Sequence, residues 1–123
     1  MTGDGGTALQ MHAIVIDCAA FEPLIRFWSA ALDYVEWFPP SGQFAGIKPR
    51  VRDDRLAIIF QQVPEGKVGK NRLHVDYAAS DRAAEVERLV GLGAAVLREL
   101  DENEGRWTIL ADPEGNEFCV AQH

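Results

Sequence analysis

Residues 72–94, RLHVDYAASDRAAEVERLVGLGA, decide the fold, because they write a strand and a helix back to back. The apolar, β-branched run RLHVDYAA has strand length, and Asp81 stands where a helix N-cap is needed. Beyond it Ala83, Val86, Leu89 and Val90 recur on one helical face, Leu92 closes the last turn, and Gly93 suits a C-cap. Working outward, AAVLREL, the acidic turn DENEG, RWTILA, the turn DPEGN and EFCVA supply three more strands. In DPEG, Asp and Pro initiate the turn and Gly115 supplies the positive φ. This half of the chain therefore reads β-α-β-β-β.

The first half has the same order. MHAIVIDC is a strand, and AAFEPLIRFWSAALDY is a helix with Pro23 in its first turn and Leu24, Ile25, Phe27, Trp28 and Leu32 on its apolar face. YVEWF, QFAGIKP and RLAIIFQQV follow as strands, joined by a Pro-Pro-Ser-Gly turn and the charged turn RVRDD. A shift of 61 places Ala13 on His74, Ile14 on Val75, Ile25 on Val86 and Trp28 on Leu89. At the helix ends a shift of 60 places Leu32 on Leu92 and Asp33 on Gly93, and near the module ends a shift of 58 places Phe60 on Phe118 and Gln61 on Cys119. The fold class expected is α+β: two βαβββ modules, about 11–63 and 72–123, forming curved mixed sheets around a cavity in a single domain over 11–123. Residues 1–10, MTGDGGTALQ, are unpatterned and are expected to be a disordered tail.

Composition bounds the partners. The chain has 123 residues, and 12 Lys+Arg against 19 Asp+Glu give a net charge of -7, which disfavours nucleic acid and anionic membrane, since both need a basic face. No apolar run approaches a membrane span. Two cysteines and no apolar signal segment suit a cytoplasmic protein rather than a disulfide scaffold. A small-molecule ligand is the expected partner.

The paired βαβββ order, HVDYAASD, AAEVERLVGLGA and above all RWTILADPEGNEFCV resemble the vicinal oxygen chelate superfamily, specifically its glyoxalase-like branch, from about Met11 to the end. The resemblance implies a small-molecule cavity, commonly with a divalent metal, and often a homodimer. It does not imply one reaction, because relatives include lyases, isomerases, dioxygenases and proteins that only sequester antibiotics. The implied metal set of two His or Gln and two carboxylates falls here on Ala13, Gln61, His74 and Cys119. Ala13 offers no donor and Gln61 a weak one, so no metal cofactor is expected. His12 falls on the wrong face unless a bulge shifts the register.

Strand alternation turns Ala13, Val15 and Asp17 toward the cavity and Ile14, Ile16 and Cys18 toward the helix. The candidate catalytic residues are His74, as acid/base, with Glu117 and Cys119; the candidate substrate-binding residues are Asp17, Trp37, Phe44, Gln61, Asp76 and Trp107. Cys119 reads either as a nucleophile, if His74 favours its thiolate, or as a small buried hydrophobe. Tyr77, Phe27 and Trp28 belong to the core, and Lys67, Lys70 and Arg72 to a solvated linker or an anion site. Two functions follow: a metal-independent lyase or isomerase doing proton transfer through His74, or a non-catalytic protein that sequesters a small metabolite or antibiotic.

Overall fold

The computed structural model describes residues 9–53, 55–102 and 105–123. Most of the expected N-terminal tail, one aspartate of the RVRDD turn and the centre of the DENEG turn lie outside these residues. The elements run β1 (Ala13–Cys18), α1 (Phe21–Leu32), β2 (Tyr34–Ser41), β3 (Phe44–Pro49), β4 (Ala57–Gln62), β5 (Val75–Ala79), α2 (Arg82–Leu92), β6 (Ala95–Glu102), β7 (Gly105–Ala111) and β8 (Glu117–Gln122). They form two four-stranded mixed sheets, ordered β1-β4-β3-β2 and β5-β8-β7-β6, with one parallel pair in each. The α+β fold of two βαβββ modules is thus present.

Helix ends follow from local chemistry. Asp81 accepts the Ala84 N–H at 3.1 Å, and Gly93 ends α2 at φ 123°. Asp33, the residue matched to Gly93, ends α1 in the left-handed region at φ 56°. Apolar faces meet as the spacing requires: Leu24, Phe27 and Trp28 are buried, with Ile47, Ile58 and Phe60 beneath them. The face of α2 is narrower than its pattern suggests. Val86 and Leu89 are buried, whereas Val90 and Leu92 are 45% and 38% exposed, since the helix touches its sheet through an i, i+3 pair.

The repeat survives as matching hydrogen bonds. At the end of β4 the Gln62 side chain donates to the Ala19 carbonyl (2.9 Å) and the Val63 N–H to Cys18 (2.9 Å); at the end of β8 Gln122 donates to Ser80 (2.5 Å) and the His123 N–H to Ala79 (2.8 Å). Register places Ile16 on Phe60 and Tyr77 on Val120, so the counterpart of Phe60 is Val120 and that of Gln61 is Ala121. The shift here is 60 and not 58. A two-residue slip preserves which face a side chain takes, so alternation alone could not detect it.

The modules are joined through α1 rather than through the sheets. The Trp28 ring packs on Tyr77 and Phe118 of the second module, with centroids 5.7 and 4.8 Å apart. Its Nε1–H donates to the buried Asp112 carboxylate at 3.0 Å. From the same turn Glu114 accepts the Ala19 and Ala20 N–H groups (2.7 and 3.0 Å), capping a helix whose own N-cap residue has no side-chain acceptor. At the other end Arg88 of α2 donates to the Ala30 and Ala31 carbonyls of α1.

Candidate functional site

With the core committed to the helix side, the opposite face of each sheet is left open. In module one Val15 is 53% exposed and Phe44 42% exposed, and Asp17 pairs in register with Gln61, which pairs in turn with Phe44. In module two the open face carries His74, just before β5, then Asp76 and Ala78 on β5, Cys119 and Ala121 on β8, and Trp107 on β7. His74, Asp76, Trp107, Cys119 and Ala121 line a cavity of about 350 Å³.

The parallel pairing of β5 with β8 puts Asp76 opposite Cys119, and His74 leans over both. His74 Nδ1 lies 3.4 Å from an Asp76 carboxylate oxygen and 3.8 Å from the Cys119 sulfur. An imidazolium here would therefore have a carboxylate within ion-pair reach. The Cys119 thiol, in contrast, is pushed up to about 11, first by burial and then by the Asp76 and Glu117 carboxylates and its hydrogen bond to Asp76. It stays protonated at neutral pH, which argues against the nucleophile reading. Cys18 is buried on the helix side, also pushed up to about 11 by burial and by Glu114, Asp17 and Asp112.

Glu117 does not join this cluster. Its carboxylate accepts the Asn71 N–H and its carbonyl accepts the Asn71 side-chain amide, both at 3.1 Å, which ties β8 to the loop before β5. It borders a second cleft of about 250 Å³ between β1 and β5, where Asp17 and Val15 of module one meet His74 and Glu117 of module two. Trp37 lies in a third cleft with Lys48 and Ala57, its ring edge-on to His12 at 5.9 Å. His12 precedes β1, so strand alternation does not govern its direction.

Sequence reasoning missed three contributors. Asn71 and Asp112 act through bonds to residues 46 and 84 positions away, a distance at which local pattern carries no signal. Gly46 was passed over within its strand: a Cβ there would lie 2.4–2.9 Å from the Phe38 ring, so the ring lies over a bare backbone on the open face.

The metal set implied by the resemblance is incomplete, because Ala13 supplies no donor and Gln61 only a weak one. The expectation of no metal nevertheless needs revision. His74, Asp76 and Cys119 place donor atoms within 4.8 Å of one another, a group that could hold an ion, and Asp76 was not foreseen as a ligand.

A family model described as glyoxalase-like domain matches residues 13–121. The chain belongs to the glyoxalase-like domain family. It is thereby part of the vicinal oxygen chelate superfamily, and solved structures agree on the fold. The fosfomycin resistance protein FosX from Listeria monocytogenes superposes with a TM-score of 0.76 at 14% identity, over 95% of each chain. A variant of that protein, complexed with Mn(II) and 1S,2S-dihydroxypropylphosphonic acid, gives 0.77 at 13% identity over 94% of this chain and 90% of the other. A member of the glyoxalase/bleomycin resistance protein/dioxygenase superfamily from Sphaerobacter thermophilus gives 0.70 at 16% identity over 94% and 98%. No curated protein matches the chain. Among the described residues no helix is long and apolar enough to cross a membrane.

Proposed function

We propose that this glyoxalase-like chain binds a small organic molecule on the open face of module two and carries out proton transfer there, as a lyase or isomerase, with His74 as the acid/base. The observation that carries the reading is the placing of His74 Nδ1 3.4 Å from Asp76 in a cavity walled by Trp107. Imidazole is a side chain that can both give and take a proton, and Asp76 stands beside it as a hydrogen-bonding partner. The Trp107 indole offers a flat apolar surface for the substrate, and Cys119, a neutral thiol, closes the floor. Asp17 and Glu117 border the adjoining cleft and extend the polar rim. The chemistry needs only groups that the chain itself supplies.

A second reading, sequestration without turnover, is favoured by the unreactive part of the cavity: Trp107 and Ala121 bring no acid/base function, and the Cys119 thiol is pushed up to about 11 by burial. The bleomycin resistance name carried by one structural neighbour's superfamily is compatible with it. The exposed apolar side chains Val15, Phe44 and Trp37 favour a homodimer that covers the open faces, and two free thiols suit a reducing cytoplasm. A metabolite screen by thermal shift supplies the ligand, because binding raises apparent stability by ~2.7 kcal/mol at a hundredfold excess over Kd. With that ligand His74→Ala abolishes turnover and leaves binding largely intact; unchanged turnover contradicts the acid/base role.

A further inference from the structure

We infer that the basic cleft of module one is a second binding site, for a planar ring carrying a phosphate, of the nucleoside monophosphate class. It lies at the turn from β3 to β4, apart from the β5–β8 face, and the proposed reaction does not require it.

The first observation is charge. The chain is acidic, with a net charge of -7, yet four of its 12 Lys+Arg, namely Lys48, Arg50, Arg52 and Arg55, line this one cleft of about 800 Å³. Among the described residues Asp53 alone brings an opposite charge to the lining. Gathering cations against the sign of the whole chain is unfavourable by itself, and a bound anion offsets it.

The second is the availability of donors. Arg50 donates from Nε and Nη2 to Asp33 at 3.1 and 3.0 Å, and Arg55 donates from Nε to Asp53 at 2.8 Å with its guanidinium over the Tyr34 ring. Each guanidinium is thus held in place with further N–H groups left for a ligand. The side chains of Lys48 and Arg52 have no ion-pair or hydrogen-bond partner among the described residues. Fixed guanidiniums beside an unpaired ammonium suit phosphate oxygens, which accept several charge-assisted bonds at once.

The third is an aromatic platform beside the cations. The register of β2 shifts between Glu36 and Phe38, so Trp37 has no partner on β3 and stands 37% exposed in the cleft. Phe38 and His12 brace its ring at 5.3 and 5.9 Å, and neither stacks on it face to face. A flat ligand ring can therefore stack on the indole while its phosphate reaches the cations. The acidic balance of the chain repels a polymer of phosphates, which selects a single nucleotide over RNA or DNA. A ligand without an anionic group gains nothing from these cations, so the two modules report on different ligands.

The test is calorimetric titration of the whole chain with adenosine 5′-monophosphate, adenosine, inorganic phosphate and a short oligoadenylate, with nuclear magnetic resonance to place the contacts. The monophosphate should bind once per chain, about tenfold or more tighter than adenosine or phosphate, with the largest shift changes at the Trp37 indole N–H and the Lys48 and Arg52 amides. The double variant Lys48→Gln/Arg52→Gln, at two exposed positions, should weaken it by about tenfold or more and flatten its dependence on salt. Trp37→Ala should reduce it to the affinity of phosphate, and His74→Ala should leave it unchanged. Adenosine binding as tightly as the monophosphate overturns the role of the cations, and phosphate binding as tightly overturns that of Trp37. Tighter binding of the oligoadenylate overturns the mononucleotide class. No binding of the monophosphate, or shift changes confined to His74 and Cys119, overturns the site. Failure here leaves the acid/base reading standing, since that is tested by turnover in His74→Ala.

Discussion

Replacing Asp112 by Asn should loosen the joint between the modules, and the structure allows the cost to be worked out. Asp112 is 4% exposed and accepts four hydrogen bonds: one oxygen takes the Glu114 and Asn116 N–H groups, both at 2.9 Å, and the other takes Trp28 Nε1–H at 3.0 Å and the Asn116 side-chain amide at 3.1 Å. Every partner is a donor, so the site requires an acceptor on both oxygens. An asparagine turns one of them into an NH₂ group facing two donors. Two charge-assisted bonds are lost at about 1.5–3 kcal/mol each, and the Trp28 N–H is left buried without a partner if the amide takes that side. A total of ~3–6 kcal/mol is expected, a large share of the ~5–15 kcal/mol typical of a domain. For a chain of this length that corresponds to a fall in Tm of roughly 10–20 °C. Thermal unfolding followed by circular dichroism measures it. A fall under about 4 °C would refute the argument that this carboxylate holds the two modules together.

Alkaline pH gives an independent check. Burial raises the Cys18 and Cys119 thiols from 9.0 to about 11 in the folded chain, and burial raises the Tyr77 phenol as well. A raised pKa means that the folded chain keeps protons which the unfolded chain releases, so this stability is fully present below pH 9 and is lost as pH rises from 9 toward 11. Urea midpoints that stay level from pH 8 to about 10.5 would contradict the burial of these thiols. Gly46→Ala should destabilise by ~1–3 kcal/mol, because the new methyl meets the Phe38 ring at 2.4–2.9 Å. Pairing it with Phe38→Ala should recover part of that loss, and strictly additive costs in chemical denaturation would show that the ring is not the obstacle.

The fold was largely legible because its determinants are local and repeated. Asp81, Gly93 and the apolar spacing of Leu24, Phe27 and Trp28 announce both helices, and alternation assigned Cys18 and Tyr77 to the core side correctly. Face assignment also brought His74, Asp76 and Cys119 together, since period-2 geometry needs only the pairing of β5 with β8. What eluded the sequence depends on distance and rotation. The capping of α1 by Glu114 and the seat of Trp28 on Asp112 join elements 84 or more positions apart. Alternation placed Glu117 on the same face as Cys119, yet its carboxylate is drawn to Asn71 and into the neighbouring cleft. The same limit applies to Trp37, whose position follows from the register shift between Glu36 and Phe38 on β2. Asp76 was read as a pocket residue alone, because its approach to both His74 and Cys119 is a matter of three-dimensional reach.

The central claim, that the open face of module two is the working surface, is tested most directly by mapping a ligand from the thermal-shift screen onto the backbone amides by nuclear magnetic resonance. The account predicts that the largest shift changes fall on His74, Asp76, Trp107, Cys119 and Ala121, with module one changing mainly near Asp17 and Val15. Changes concentrated instead around His12, Trp37 and Lys48, with the β5–β8–β7 surface unmoved, would contradict it.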